Sequence, residues 1–383
     1  MQNKRKGVFM SKKIKVLYLV TLSDWSGVQK VIYSIAYGLY NYYRNEFEIE
    51  VAAGSENGKM FEEFKKLGIK VHIIDSLQRK PSLMKDLRAY FQIKDIIRKG
   101  QYDVVHFNTS KVRVLGGRTA KKLHAKKVIY TVHGWWHIEQ YRGLKKYFYI
   151  ILERYASKYC DHLVLLGEKD KEKAKTFKIG KEEQHIIIHN AIIPQEKAGK
   201  GLLRKELKLS NDLRIVGNVA RLDAQKNPLR FLKIAREISA IKNNVVFVWI
   251  GSSVVEEGYE KEINDYFNKN PQLKEKVFFI PFRKDAPILM ADFDVFLLTS
   301  DSEGMPLVVI EALQQGVPVV STDVGCVSEV IGKENTGDSV KQLTKLVLNA
   351  LNSRKNVSYK ADINYRKFIN SYYDLYKKSS NLG

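Results

Sequence analysis

Residues 300–323 read "SDSEGMPLVVIEALQQGVPVVSTD", an apolar run with two carboxylates eight positions apart. Glu303 stands just before a Gly-Met-Pro turn, and Glu311 lies inside the run. Pro306 suits a first helical turn and Gly316 a helix end, so the spacing predicts a helix over about 306–315. It lies between two strand-like runs, "DVFLLTS" before it and "VPVVST" after it. Exposed N–H groups around Gly304 and Met305, together with the helix dipole, make an anion site there. Glu311 would share a face with Leu307, Val308, Gln314 and Gln315, where a carboxylate is costly to bury without a donor. That donor is a ligand hydroxyl, a backbone N–H or a basic side chain. On these residues alone a structural salt bridge stands ahead of the ligand.

The strand–helix–strand pattern extends in both directions. The first half contains "IKVLYLVT", "FEIEVAAG", "KVHIID", "YDVVHFN", "KVIYTVH", "DHLVLLG" and "HIIIHN". After the polar "PQEKAGKGLLRKELKLSND" the rhythm restarts with "LRIVGNVA", "NVVFVWIG", "KVFFIPF", "DVFLLTS" and "VPVVST". Short β-rich runs alternating with amphipathic helices predict parallel sheets covered on both faces, the α/β class. The restart predicts two Rossmann-like domains, 1–195 and 196–363, with a linker near 193–205 and functional residues beyond the strands' carboxyl ends.

At 383 residues the chain suits two domains, and 44% hydrophobic content excludes disorder. Cys160 and Cys326 match no metal or redox spacing and fit two core thiols in a reducing compartment. No apolar run approaches the ~18 residues of a membrane span. The start "MQNKRKGVFMSKKIKVLYLVTLSD" has a basic flank but a short apolar run and no small-residue cleavage site, so "IKVLYLVT" reads as the first strand. Met10 is an alternative start, which would make the first nine residues a tail.

The charge is lopsided. Residues 1–200 hold 39 Lys+Arg against 20 Asp+Glu, a net of +19, while the remainder hold 26 against 22, a net of +4. A basic face serves nucleic acid, anionic lipid or a polyanionic substrate. The stretch "YRGLKKYFYIILERYASKY", 141–159, interleaves Arg142, Lys145, Lys146 and Arg154 with Tyr, Phe, Ile and Leu. That pattern fits an interfacial amphipathic helix, and equally an ordinary domain helix with a solvated basic face. No nucleic-acid module is recognisable, so a nucleic-acid partner is not expected.

Other strand ends carry chemistry of their own. "GNVARLDAQKNP" places Arg221 and Lys226 five apart after a strand, where two cations beside a helix N-terminus suit a diphosphate. "VWIGSS" ends a strand at Gly251, which would let a backbone approach phosphate. The phosphate-loop, dinucleotide, zinc-protease and nucleophile-elbow motifs are all missing.

The E-x7-E pattern of Glu303 and Glu311, with Arg221 and Lys226 as an Arg-x4-Lys clamp, resembles the retaining family-4 glycosyltransferases, which have the GT-B fold with parallel sheets facing a central cleft. "DWSGVQKVIYSIAYGL" is similar to their glycine-rich first loop, "TVHGWW" to their His-Gly segment, "IIIHNAI" to an Asn-Gly strand end, and "FINSYYDLYKK" to a last helix that crosses back onto the first domain, here about 364–383. The stretch "VVHFNTSKVRVLGGRTAKKLHAKKVIYTVHGWW" resembles the branch that builds capsule, exopolysaccharide or lipopolysaccharide on lipid carriers.

The resemblance implies roles residue by residue. Glu311 would accept from the ribose hydroxyls and Glu303 would lie beside the donor sugar. Gly304, Met305 and Leu307 would border sugar and phosphate, while Pro306 has no N–H to give. Arg221 and Lys226 would hold the diphosphate as it leaves. His133 would face the sugar from the basic domain, Gly27 would let the first loop approach, and Asn190 and Gly251 would border the donor. Phe282 and Arg283 would contact the base. The implied reaction moves a sugar from a nucleotide-sugar, a UDP-sugar, to an acceptor hydroxyl with retention, with no metal and no cofactor. The implied partners are that donor, a polyprenyl-linked or saccharide acceptor and an anionic membrane surface, which places the protein on the cytoplasmic face of the plasma membrane. A non-catalytic nucleotide-sugar-binding partner of another transferase is the alternative.

Some positions depart from the family pattern. Ser26 precedes Gly27 where Gly-Gly is frequent, Ala191 follows Asn190 in place of Gly, and Cys326 takes a common glycine position. "GKENTGDSVKQL" looks like a shortened loop. "DFD", Asp292 to Asp294, mimics the metal-binding pair of the other major glycosyltransferase fold but precedes a strand instead of ending one.

Overall fold

The computed structural model describes residues 12–55, 58–252, 257–353 and 363–378. The alternative start at Met10 lies outside them. Thirteen strands form two parallel sheets among the described residues. The first sheet contains β1 Ile14–Leu19, β2 Phe47–Ala53, β3 Lys70–Ile73, β4 Val104–Phe107, β5 Lys127–Thr131, β6 His162–Leu165 and β7 His185–Ile187. Their order is β3-β2-β1-β4-β5-β6-β7. The second sheet contains β8 Arg214–Val219, β9 Val245–Ile250, β10 Val277–Ile280, β11 Val295–Leu298, β12 Val319–Thr322 and β13 Thr336–Gly337. Their order is β10-β9-β8-β11-β12-β13.

Strands buried on both faces need unbroken apolar sequence, and β9, "VVFVWI", is buried at every position. Alternate residues of β1 enter different cores. Val16 and Tyr18 pack with the helix Gly27–Tyr42, and Leu17 and Leu19 face a layer containing the helices Leu83–Gly100, Ser110–Lys122 and Gly143–Ser157. Strand order reverses direction between β1 and β4 and again between β8 and β11. Ligands of open parallel sheets bind at such reversals, outside the carboxyl ends of the strands.

The helix Tyr365–Lys377 packs back on the first sheet. Tyr365 donates to the Ser34 carbonyl at 2.6 Å, the Tyr376 hydroxyl lies 2.7 Å from His106 Nδ1, and Lys127 Nζ donates to the Leu375 carbonyl at 2.6 Å. The apolar core that contains Val16 and Tyr18 continues into the second sheet, with Leu166, Ile188, Met305 and Cys326 among its members. Both cysteines are buried and unbridged.

Three local readings shift. Pro306 is the N-cap, extended at ψ 123°, and the helix runs Leu307–Gln314, starting one residue later than predicted. The 193–205 segment contains the first part of the helix Leu202–Glu206, whose amino end is held by Asp292 accepting from the N–H groups of Gly201, Leu203 and Arg204. Asp294 pairs with Arg204 and Arg214, so both carboxylates of "DFD" are occupied structurally. Within "GKENTGDSVKQL", the two-residue β13 leads to the helix Val340–Asn352, capped reciprocally by Ser339 and Gln342.

Candidate active site

The loop after β8 and the loop after β11 lie side by side on the second domain. Gln225 Nε2 donates to the Ser302 carbonyl at 2.8 Å, and Asp301 N–H donates to the Gln225 carbonyl at 2.8 Å. This lacing brings Lys226 Nζ to 2.5 Å from Glu303 Oε1, which also accepts from Ser300 Oγ at 2.6 Å. Glu303 is 8% exposed, so its charge is matched by a lysine and a hydroxyl rather than by water. Arg221 pairs with Asp223 on its own loop at 3.0 Å and keeps a partly exposed guanidinium.

Glu311 is 3% exposed in the helix after this loop. Its partner comes from the other domain: Lys30 Nζ, in the first turn of the helix Gly27–Tyr42, lies 2.9 Å from Glu311 Oε1. The sequence left the donor open among ligand, backbone and basic side chain, and in the structure a basic side chain takes that place. A signal for Lys30 existed. A cation in a helix's first turn opposes the dipole, and no acidic residue accompanies it there.

The domains meet at backbone contact. Gly134 has φ +124°, and a Cβ placed there would lie 3.1 Å from the Gly304 nitrogen; a Cβ on Gly304 would lie 2.8 Å from the His133 carbonyl oxygen. Two glycines are therefore what allow the loop after β5 to sit against the Glu303–Gly304 turn. His133 Nε2 is 3.3 Å from Asn108 Oδ1, which assigns the ring proton to Nε2. Packing removes enough hydration to push the His133 pKa down to about 4, so the imidazole is neutral at pH 7. Further ties join the domains at Ser302 Oγ–Glu139 Oε2, 2.5 Å, Lys169–Asp323, 2.5 Å, and His189–Glu329, 3.0 Å.

The remaining candidates fall around this junction. Asn190 holds Met305, with its N–H 3.0 Å from the thioether sulfur and Nδ2 3.3 Å from the Met305 carbonyl, while its own Oδ1 is buried without a partner among the described residues. Leu307 is 7% exposed at the helix start. A Cβ on Gly27 would meet nothing within 4 Å, so this loop presents open space. Gly251 has a different reason to be glycine: at φ +147° a Cβ would lie 2.0 Å from the Ala220 carbonyl oxygen. Phe282 is exposed on the rim, whereas Arg283 is bound to Glu206 and Asp285 and is not brought to the cleft centre by any of these contacts. Of the histidines without an assigned role, His106 is buried between Tyr376 and Thr131, and His137 pairs with Glu153.

The arrangement combines a neutral imidazole, a partly exposed arginine, a lysine paired with a buried carboxylate, and a second buried carboxylate paired across the domains. It can bind an anion next to a polyhydroxylated group. Among the described residues, no three His, Cys, Asp or Glu side chains gather as a metal-ligand set.

Comparison with known proteins agrees with the fold. Residues 25–196 match the family model "Glycosyltransferase Family 4", and residues 200–361 match "Glycosyl transferases group 1". An Escherichia coli UDP-Gal:alpha-D-GlcNAc-diphosphoundecaprenol alpha-1,3-galactosyltransferase is 29% identical over 320 residues, 82% of this chain and 80% of the relative. The Staphylococcus aureus capsular polysaccharide biosynthesis glycosyltransferase CapM is 24% identical over 330 residues, 84% of this chain and 83% of the relative. Among solved structures, Anabaena HepE in complex with UDP-glucose superposes with TM-score 0.74 at 19% identity, covering 94% of this chain and 95% of that one. With both halves matched in order on two parallel-sheet domains, the chain belongs to the family-4 glycosyltransferases of GT-B fold and to the proteins of polysaccharide biosynthesis.

Proposed function

We propose that this glycosyltransferase moves a sugar from a UDP-sugar to a hydroxyl of a polyprenyl diphosphate-linked saccharide, with retention of anomeric configuration and without a metal. The observation that carries the donor site is the lacing of the Arg221–Lys226 loop onto the Glu303–Glu311 segment at the strand reversal of the second sheet. In this reading the diphosphate draws Lys226 away from Glu303 and takes Arg221 as its second cation. The ribose hydroxyls then donate to Glu311. His133, neutral, hydrogen-bonds the sugar from the opposite domain. The bond from the anomeric carbon to the phosphate oxygen breaks as the acceptor oxygen bonds the same face, and the acceptor proton passes to the departing diphosphate. Arg221 and Lys226 stabilise the charge that develops there.

The activity named for the E. coli relative supports the lipid-linked acceptor, and the +19 charge of residues 1–200 supports an anionic membrane partner. In this reading the enzyme works peripherally on the cytoplasmic face of the plasma membrane. No helix among the described residues is long and apolar enough to cross a membrane. The test is transfer from a panel of UDP-sugars to GlcNAc-diphospho-polyprenol. A labelled glycolipid that depends on Arg221 and Lys226 supports the reading, and absence of transfer from every donor counts against it.

A further inference from the structure

Nine of the fifteen exposed large apolar side chains among the described residues lie on two helices of the first domain. On Leu83–Gly100 these are Leu83, 89% exposed, Met84, Leu87 and Phe91. On Gly143–Ser157 they are Leu144, 90% exposed, Tyr147, Phe148, Ile151 and Tyr155. Each helix already buries another face, Ala89, Ile93 and Ile97 on the first and Ile150 and Ala156 on the second. Both helices are therefore apolar on two sides, and the outward side has no partner among the described residues. An amphipathic helix of a globular domain needs only the inward stripe.

Position and charge favour a lipid surface as the occupant. The two helices pack on either side of the helix Ser110–Lys122, in one layer. Helices of a βαβ unit run back antiparallel to their strands, so their amino ends lie at the carboxyl edge of the sheet, the edge that carries His133. Leu83 to Phe91 fill the first half of one helix and Leu144 to Phe148 open the other, so the apolar side chains border the cleft mouth. Exposed cations ring them, Arg79, Lys80, Lys85 and Arg88 at one helix and Arg142 and Lys145 at the other. The carboxylates of these helices are engaged: Asp86 by Lys111, Asp95 by Arg98 and Lys99, and the buried Glu153 by Arg113. What faces outward is apolar and positive, with no free negative charge to oppose an anionic headgroup.

We propose that these two helices together form a docking face for an anionic bilayer, with Leu83–Gly100 contributing as much as Gly143–Ser157, and that docking sets the cleft mouth at the lipid surface. The face rests on the lipid-linked acceptor reading for its purpose only, because vesicle binding can be measured without donor or acceptor. The experiment is co-flotation of the full chain with vesicles of phosphatidylglycerol and phosphatidylethanolamine, against phosphatidylcholine alone. One variant replaces Leu83, Met84, Leu87 and Phe91 by Ser, and a second replaces Leu144, Phe148 and Ile151 by Ser. All seven side chains are exposed, so folding is preserved, and circular dichroism checks it.

The expected result is binding to the anionic vesicles at least tenfold stronger than to phosphatidylcholine, a tenfold or greater loss in each variant, and retained transfer to a water-soluble acceptor analogue. Vesicle binding by the first variant equal to the parent overturns the two-helix face. Sedimentation velocity showing a dimer that either variant dissolves would instead assign the face to a second copy of the chain. Loss of transfer to the soluble acceptor by the parent protein counts against the transferase reading and leaves the vesicle result intact.

Discussion

Replacing Lys30 by Met keeps most of the side-chain length and removes the charge that neutralises Glu311. At 2.9 Å, and at an effective dielectric of about 20, the gross attraction is about 6 kcal/mol, most of it offset by desolvation. Breaking a fully buried pair costs about 3–5 kcal/mol and a surface pair about 0–1 kcal/mol. The Glu311 side chain is 4% exposed and that of Lys30 33%, which places this pair between the two at about 2 kcal/mol. For domains of this size that corresponds to a fall of about 4–8 °C in melting temperature of the unliganded protein. In the proposed reading ribose hydroxyls satisfy Glu311 once nucleotide is bound, so the deficit disappears at saturating UDP. Linkage then requires the variant to bind UDP about tenfold or more tightly than the parent. Thermal scans with and without UDP, together with titration calorimetry, read both effects. An equal fall with and without UDP would refute the exchange of Lys30 for ribose, and no fall at all would refute the ion pair.

Arg221→Ala and Lys226→Ala should each lower kcat by about 10²–10³ with the fold intact by circular dichroism, as expected for donors that stabilise leaving-group charge; turnover near the parent's removes the clamp. Asp170 is buried beside Cys326, and burial raises its pKa to about 6. Its folded pKa exceeds the unfolded value of 3.8, so the folded state disfavours ionisation, and stability falls as pH rises from about 4 through about 6. Asp170→Asn should therefore stabilise by about 3 kcal/mol above pH 7 and by little near pH 4, and melting curves that differ equally at both pH values contradict this. Gly134→Ala must adopt φ +124° and place a Cβ 3.1 Å from the Gly304 nitrogen. The expected outcome is loss of transfer with both domains still folded, and parental activity would show that the loop contact is dispensable.

The strands were legible because parallel sheets covered on both faces demand runs such as "VVFVWI" and "KVIYT", and the break in rhythm after Ile187 marks the second domain. β13 was not, since Thr336–Gly337 is two residues long and has no apolar pattern. The pairing of Lys226 with Glu303 follows from adjacent strand ends, and both had been singled out. Lys30 escaped because its partner is 281 residues away in the other domain, and only its poor fit to the helix dipole hinted at a role. The outward stripe of Leu83–Gly100 escaped for a different reason. Leu83, Leu87 and Phe91 recur at four-residue spacing as core positions of a helix do, and only tertiary packing distinguishes them from Ala89, Ile93 and Ile97, which fill the core.

The most direct test of the central claim is proton NMR of the product formed from an α-linked UDP-sugar and a GlcNAc-diphospho-polyprenol acceptor. The expected product is a new disaccharide on the lipid with the α configuration retained at the transferred anomeric carbon. A β-linked product, or donor consumed with no sugar on the lipid, would contradict it.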